Sequence, residues 1–224
     1  MKSVKNKYKK NKLYKVSNIM KHIKADKIKF ETIKASKKIK KERKRIEKII
    51  KNHFKTNGTE NIPEIIEPVR KWLGFMLNEN RYTHALSAEI TARKIARLIS
   101  VNEDKAGLAA LLHDCAKSLS HNKLINICNK YNVRLIDKEL YNYSCLHAPA
   151  GACIVRKKLG IKDKKILNAI RYHIIGRDKM SKIEKIVFIA DEIEPFLRSQ
   201  KLNEKTFALI NTNTSLDKAF NLVA

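Results

Sequence analysis

Glycine and proline are scarce, with six and four residues in a chain of 224. Turn-rich all-β sandwiches need more of both, so the composition points to helix. Cysteine is rare too. Cys115, Cys128, Cys145 and Cys153 share no Cys-x-x-Cys spacing, which excludes a zinc ribbon or a disulfide framework and reads as reduced thiols in the cytoplasm. No apolar run approaches the ~20 residues that cross a bilayer, so no membrane span is expected. The first residues are charged and lack the apolar core of a signal peptide. Their basic character is lysine-based, unlike an arginine-rich transit peptide. Acidic residues number 22 against 49 lysines and arginines, a net charge of +27.

What is present suits a soluble core, with 43% hydrophobic and 32% charged residues. The charge is unevenly placed. Residues 1–58 hold 22 basic and 4 acidic side chains, +18 of the total. Such a segment can neutralise phosphates without reading sequence, which admits nonspecific RNA or ribosome contact. Lysine, isoleucine and asparagine are abundant throughout, so compositional drift accounts equally well for the charge. Residues 1–58 are read as a basic extension, partly disordered or a long basic helix, with Ile39, Ile46, Ile49, Ile50 and Phe54 coming closest to an amphipathic stripe. The turn Thr56-Asn57-Gly58-Thr59 separates it from a domain over 59–224.

That domain reads as helices throughout. Val69, Trp72, Leu73 and Met76 share a face of a helix over Ile65–Leu77. The next begins near Arg81 and places His84 on the stripe of Ala88, Thr91, Ile95 and Ile99. Asn102-Glu103-Asp104 starts a third, whose stripe runs Ala106, Ala110, His113, Lys117; if it persists, Lys117 neighbours both His113 and Asp114. A helix follows over Leu119–Tyr131, then a loop over 132–145. Pro149 suits a first helical turn, with His147 just ahead and small residues at 148, 150, 151 and 152 permitting close approach. Asp163 starts a helix carrying His173 inward and ending at Gly176. Ser181 and Glu184 form a capping box for a helix carrying Asp191 and stopped by Pro195. A last helix spans Glu204–Val223.

His113-Asp114 directly follows Leu111-Leu112. A buried carboxylate must be paired or metal-bound, and an adjacent imidazole makes a divalent ion the natural partner. Any one such residue could be a satisfied core group. Six inward polar groups on five helices, His84, His113, Asp114, His147, His173 and Asp191, would otherwise need six separate partners.

In these residues the chain resembles the HD-domain metal-dependent phosphohydrolases, and within them the YqeK-type symmetrical bis(5'-nucleosyl)-tetraphosphatases. The resemblance covers about residues 64–198. It rests on Arg81-Tyr82-Thr83-His84-Ala85-Leu86, on Leu111-Leu112-His113-Asp114-Cys115-Ala116-Lys117, on Leu146-His147-Ala148-Pro149-Ala150-Gly151-Ala152, on Ala169-Ile170-Arg171-Tyr172-His173, and on Ile189-Ala190-Asp191-Glu192-Ile193-Glu194-Pro195. It implies an all-α HD-domain bundle around a divalent metal, iron or alternatively manganese or another ion. His84, His113, Asp114 and Asp191 would be ligands, with His113, Asp114 and Lys117 catalytic. His84, Lys117, His147, His173, Ile174 and Arg198 would contact phosphate or nucleotide, or a second metal.

The implied reaction is attack of metal-bound hydroxide on a bridging phosphate of diadenosine tetraphosphate, giving two ADP. Two departures stand out. Ile174-Ile175 replaces the family's threonine after the histidine, and Arg198 is shifted by one position. They leave open another substrate (a deoxynucleotide, a cyclic dinucleotide or an alarmone) or an HD-like binding protein associated with RNA or ribosomes.

Overall fold

The computed structural model describes residues 37–196, 198–211 and 216–224. Among them there are eleven α-helices and no strand. In chain order these are α1 (Lys37–Thr56), α2 (Ile62–Gly74), α3 (Glu79–Leu98), α4 (Glu103–Leu112), α5 (His121–Lys130), α6 (Asp137–Tyr141), α7 (His147–Ile154), α8 (Lys164–Tyr172), α9 (Lys182–Ile193), α10 (Gln200–Asn211) and α11 (Leu216–Val223). A 3-10 turn, Tyr143–Cys145, precedes α7, and a π-helical turn, Val155–Leu159, extends it. The bundle is all-α as expected. Helix α9 is its centre, packing on α3, α4, α8, α10 and α11.

The chain divides into Met1–Lys41, described only from residue 37, and a compact unit Glu42–Ala224. The unit thus begins inside the stretch expected as an extension, and residues 1–36 of that stretch lie outside the described residues. Ile46, Ile50 and Phe54 of α1 join the core cluster, and Glu47 accepts the indole N–H of Trp72 at 3.0 Å. Each buried side chain contributes roughly 1.5–3 kcal/mol. That outweighs the ~0–1 kcal/mol of exposed pairs such as Lys71–Glu42, so burial ties α1 to the domain.

Local signals explain most boundaries. Asn78, Asn102 and Asp163 accept backbone N–H bonds as N-caps of α3, α4 and α8. Ser181 and Glu184 form the expected capping box of α9. Buried Glu89 of α3 binds Arg70 of α2 and Arg93, and Arg93 continues across α4 to Asp104. Gly107 makes that crossing possible, because a Cβ there would stand 2.5 Å from Arg93 Nε. Helices α2, α3 and α4 are thereby locked together.

Three expectations fail. The helix ahead of His113 does not continue to Lys117 but stops at Leu112. Residues 113–119 form tight turns, with Cys115 N–H bonded to Leu112 O and Lys117 N–H to Asp114 O. The cause is local: His113 Nδ1 takes Ala110 O at 2.6 Å, the acceptor Asp114 N–H would need for a further α-turn. The loop over 132–145 contains α6, capped by Glu139, which is fully buried beneath Arg171. The last helix is two, α10 and α11.

Candidate metal centre

Helices α3, α7, α8 and α9 each bring one polar group to a common point, and the turn after α4 brings two. His84 lies in the first turns of α3, and His113-Asp114 on the turn after α4. His147 opens α7, His173 caps α8, and Asp191 sits near the end of α9. The four histidines and Asp114 are buried to 3% exposure or less. All six groups expected to be inward are brought together.

Asp114 divides the cluster. Its Oδ2 lies 3.8 Å from His113 Nε2 and 4.0 Å from His84 Nε2. Asp191 Oδ1 stands on the same side, 3.1 Å from His84 Nε2 and 3.7 Å from His113 Nε2. Asp114 Oδ1 points the other way, 2.8 Å from His147 Nε2 and 3.6 Å from His173 Nε2. Lys117 Nζ approaches His147 Nε2 at 3.2 Å. Donor atoms within 4.8 Å of one another form two triads, His84–His113–Asp191 and His113–Asp114–His173.

The tautomers follow from the outer partners. Backbone carbonyls only accept, so His113 donates Nδ1–H to Ala110 O, His147 to Ser144 O at 2.6 Å and His173 to Ile170 O at 2.8 Å. His84 Nδ1 meets buried Glu194 Oε1 at 3.1 Å. Every neutral ring therefore turns a bare Nε2 lone pair inward. Nε2 atoms then face each other at 3.1 Å (His84–His113) and 3.2 Å (His147–His173). Lone pairs at such distances require a proton or a cation between them. Two donors to one ion bonded at ~2.1 Å stand about 3.0–3.4 Å apart, and histidine held by an outer acceptor is the usual form of a metal ligand. The donor set fits a divalent cation.

Electrostatics of the ion-free site agree. Burial opposes charge on His84, but hydrogen bonds to Asp191 and Glu194 and the fields of Asp191 and Asp114 outweigh it and raise its pKa to about 9. A proton there takes the place of a cation among carboxylates. Burial pushes His113 down to about 4 and lowers His147. Desolvation would raise Asp114 and Asp191, but the surrounding histidines hold both below the usual carboxylate range. Burial also lowers the pKa of Lys117.

Arg198 donates Nε–H to Asp191 O at 3.1 Å, with its Nη2 3.6 Å from Asp191 Oδ1. Ile174 lines a cavity of about 700 Å³ with Ile175, Tyr141, Cys145, Phe188 and Phe220. Cys145 and Ile174 neighbour His147 and His173 in sequence, but none of the six clustered groups lines the cavity itself. Two residues were not anticipated. Arg81 donates to Asp114 Oδ2 at 3.3 Å, and Glu194 orients His84. Asp191 and Glu194, three apart at the end of α9 after the apolar run Ile186–Ala190, were the signal for the second.

The HD domain family profile matches residues 81–195. A symmetrical bis(5'-nucleosyl)-tetraphosphatase from Halalkalibacterium halodurans is 42% identical over 119 residues, 53% of this chain and 63% of that protein. One from Staphylococcus aureus is 38% identical over 130 residues, 58% of this chain and 66% of that protein. The match thus spans just under two thirds of these relatives. A crystal structure described as a predicted HD superfamily hydrolase involved in NAD metabolism, from Clostridium acetobutylicum, superposes with a TM-score of 0.63 at 38% identity. It covers 69% of this chain and 80% of that one.

Proposed function

The chain belongs to the HD-domain family, and we propose that it is a metal-dependent hydrolase cleaving diadenosine tetraphosphate symmetrically to two ADP. The observation that carries this reading is the convergence of four imidazole Nε2 atoms on the two carboxylates Asp114 and Asp191, with every Nδ1 engaged elsewhere. The relatives named for this activity support the substrate. His84, His113, Asp114 and Asp191 would hold the ion, and iron suits their imidazole and carboxylate donors. A divalent ion bound there acidifies a water from ~15.7 towards ~7 and draws charge from a phosphoryl oxygen.

The chain's own groups do the rest. Glu194 fixes His84 with Nε2 inward. Across Asp114, Lys117 donates to phosphate oxygens, and the inward Nε2 atoms of His147 and His173 do so when they carry a proton, or else hold a second ion. Either way they offset the charge that in-line displacement places on those oxygens. An arriving phosphate favours the charged form of Lys117, which burial disfavours. The leaving group is a nucleoside diphosphate, stable as an anion, so it needs little protonation. The cavity beside Ile174 accepts a nucleoside. Four free, buried thiols support a reducing, cytoplasmic setting, and no helix among the described residues is long and apolar enough to cross a membrane.

Protein loaded anaerobically with iron or manganese should convert diadenosine tetraphosphate to ADP alone, read by chromatography. ATP plus AMP would reject symmetric cleavage, and no turnover with any divalent ion would remove the assignment. A second reading keeps the chemistry and changes the nucleotide. It is favoured by Ile174 and Ile175 on the cavity wall, which supply no side-chain hydrogen bond. Higher kcat/KM on a deoxynucleotide, cyclic dinucleotide or alarmone would decide for it.

A further inference from the structure

Away from the metal cluster, the outer stripes of α7 and α8 enclose a second cleft of about 440 Å³, closed by the end of α5. Arg156, Lys157, Lys164 and Arg171 line it with Tyr131 and Asn168, and no carboxylate does. Arg171 is held by Glu139 and Arg134 O. Among the described residues no carboxylate pairs with Arg156, Lys157 or Lys164, since Asp163 turns to Lys105 and Glu139 to Arg171. Tyr131 is half-buried, with Lys130 and Lys157 ammonium groups 5.4 and 5.5 Å from its ring centre. Arg156 and Lys157 project from the π-helical turn that extends α7, a departure from regular helix often found at binding sites.

The surrounding sequence is depleted of acid. From residue 140 to 177 there are eight lysines and arginines and one carboxylate, Asp163, against 17 carboxylates in the other 128 residues of 59–224. A lysine-rich coding bias adds cations everywhere; it does not remove acids from one face. We infer that this cleft is a binding site for single-stranded nucleic acid, with one nucleotide unit seated against Tyr131 and its phosphate between Arg156 and Lys164. A flat ring among cations, with an amide at hand, matches the way stacking and backbone charge combine in sequence-tolerant strand binding. Exposed Lys158, Lys162 and Lys165 continue the charge beyond the cleft, which suits successive phosphates of a strand better than one free nucleotide.

The test uses the full chain and a fluorescein-labelled 12-nucleotide oligouridylate, followed by anisotropy from 50 to 400 mM salt as an order-of-magnitude range for counterion release. Arg156→Ala with Lys164→Ala should reduce the slope of log K against log salt by about 0.7, the loss of one single-strand phosphate contact. Tyr131→Leu should weaken binding about tenfold or more without changing the slope. Both sets should leave hydrolysis of diadenosine tetraphosphate unchanged. The matched control Lys182→Ala with Lys201→Ala removes the same charge elsewhere. An equal slope change in that control, or none in the cleft variant, overturns the proposal. Displacement of the oligonucleotide by micromolar AMP or ADP also overturns it, because the cleft would then be a mononucleotide site.

Discussion

On one side of Asp114, Oδ2 faces His84 and His113 in the company of Asp191 and Glu194; on the other, Oδ1 faces His147 and His173, with Lys117 as the neighbouring charge. The first side is acid-rich, and without an ion it retains a proton on His84. The second has no carboxylate of its own among the described residues, and burial there lowers the pKa of His147. Two histidine pairs with the same 3.1–3.2 Å spacing are thus set for different tasks by what surrounds them. Negative surroundings hold a cation. On the other side, the ammonium of Lys117 favours an anion.

Removing the group common to both sides has the largest expected effect. Asp114→Ala should lower kcat/KM on the order of 10³-fold or more and empty the site in metal analysis. Retained activity would break the comparison. Next come single-side changes. Glu194→Ala should weaken metal affinity about 10–100-fold. His173→Ala should cost about 10²-fold in kcat/KM with metal content preserved. Loss of metal in His173→Ala would instead show that the second side also holds an ion.

Thermal unfolding of the metal-stripped chain against pH separates the sides again. The folded pKa of His84, about 9, lies above its ordinary 6.5, so its stabilisation is complete below pH 6.5 and lost as pH rises to 9. His113, depressed to about 4, acts oppositely: stability falls as pH drops from 6.5 to 4. The decline in melting temperature above pH 6.5 should vanish in metal-loaded protein, because bound His84 no longer titrates. An unchanged decline would count against His84 as a ligand. The smallest effect belongs to Ile174→Thr, where one new hydrogen bond of ~0.5–1.5 kcal/mol should lower KM for diadenosine tetraphosphate no more than about tenfold. A larger change in kcat than in KM would move Ile174 from the cavity wall to the reaction itself.

His84, His113 and His173 were legible because each continues an apolar stripe where a polar residue is costly unless partnered; Asp114 and Asp191 each follow an apolar run, and His147 stands just ahead of a helix start marked by Pro149. The end of α4 was not, because it depends on which side chain captures Ala110 O. Glu194 could be placed on a helix but not given a role, since its partner His84 lies 110 residues away. The stripe of Ile46, Ile50 and Phe54 was visible as a pattern. Its burial depends on the tertiary partner, and lysines on either side suggested solvent instead.

The two oxygens of Asp114 make the halves of the site thermodynamically inseparable. An anion that engages His147 and Lys117 alters the charge Oδ1 must balance, and with it the electron density Oδ2 offers across the carboxylate. Linkage then demands symmetry: whatever factor phosphate applies to metal affinity, metal applies to phosphate affinity. Substrate and ion therefore each set the other's occupancy, and metal affinity measured without phosphate differs by that factor from its value during turnover.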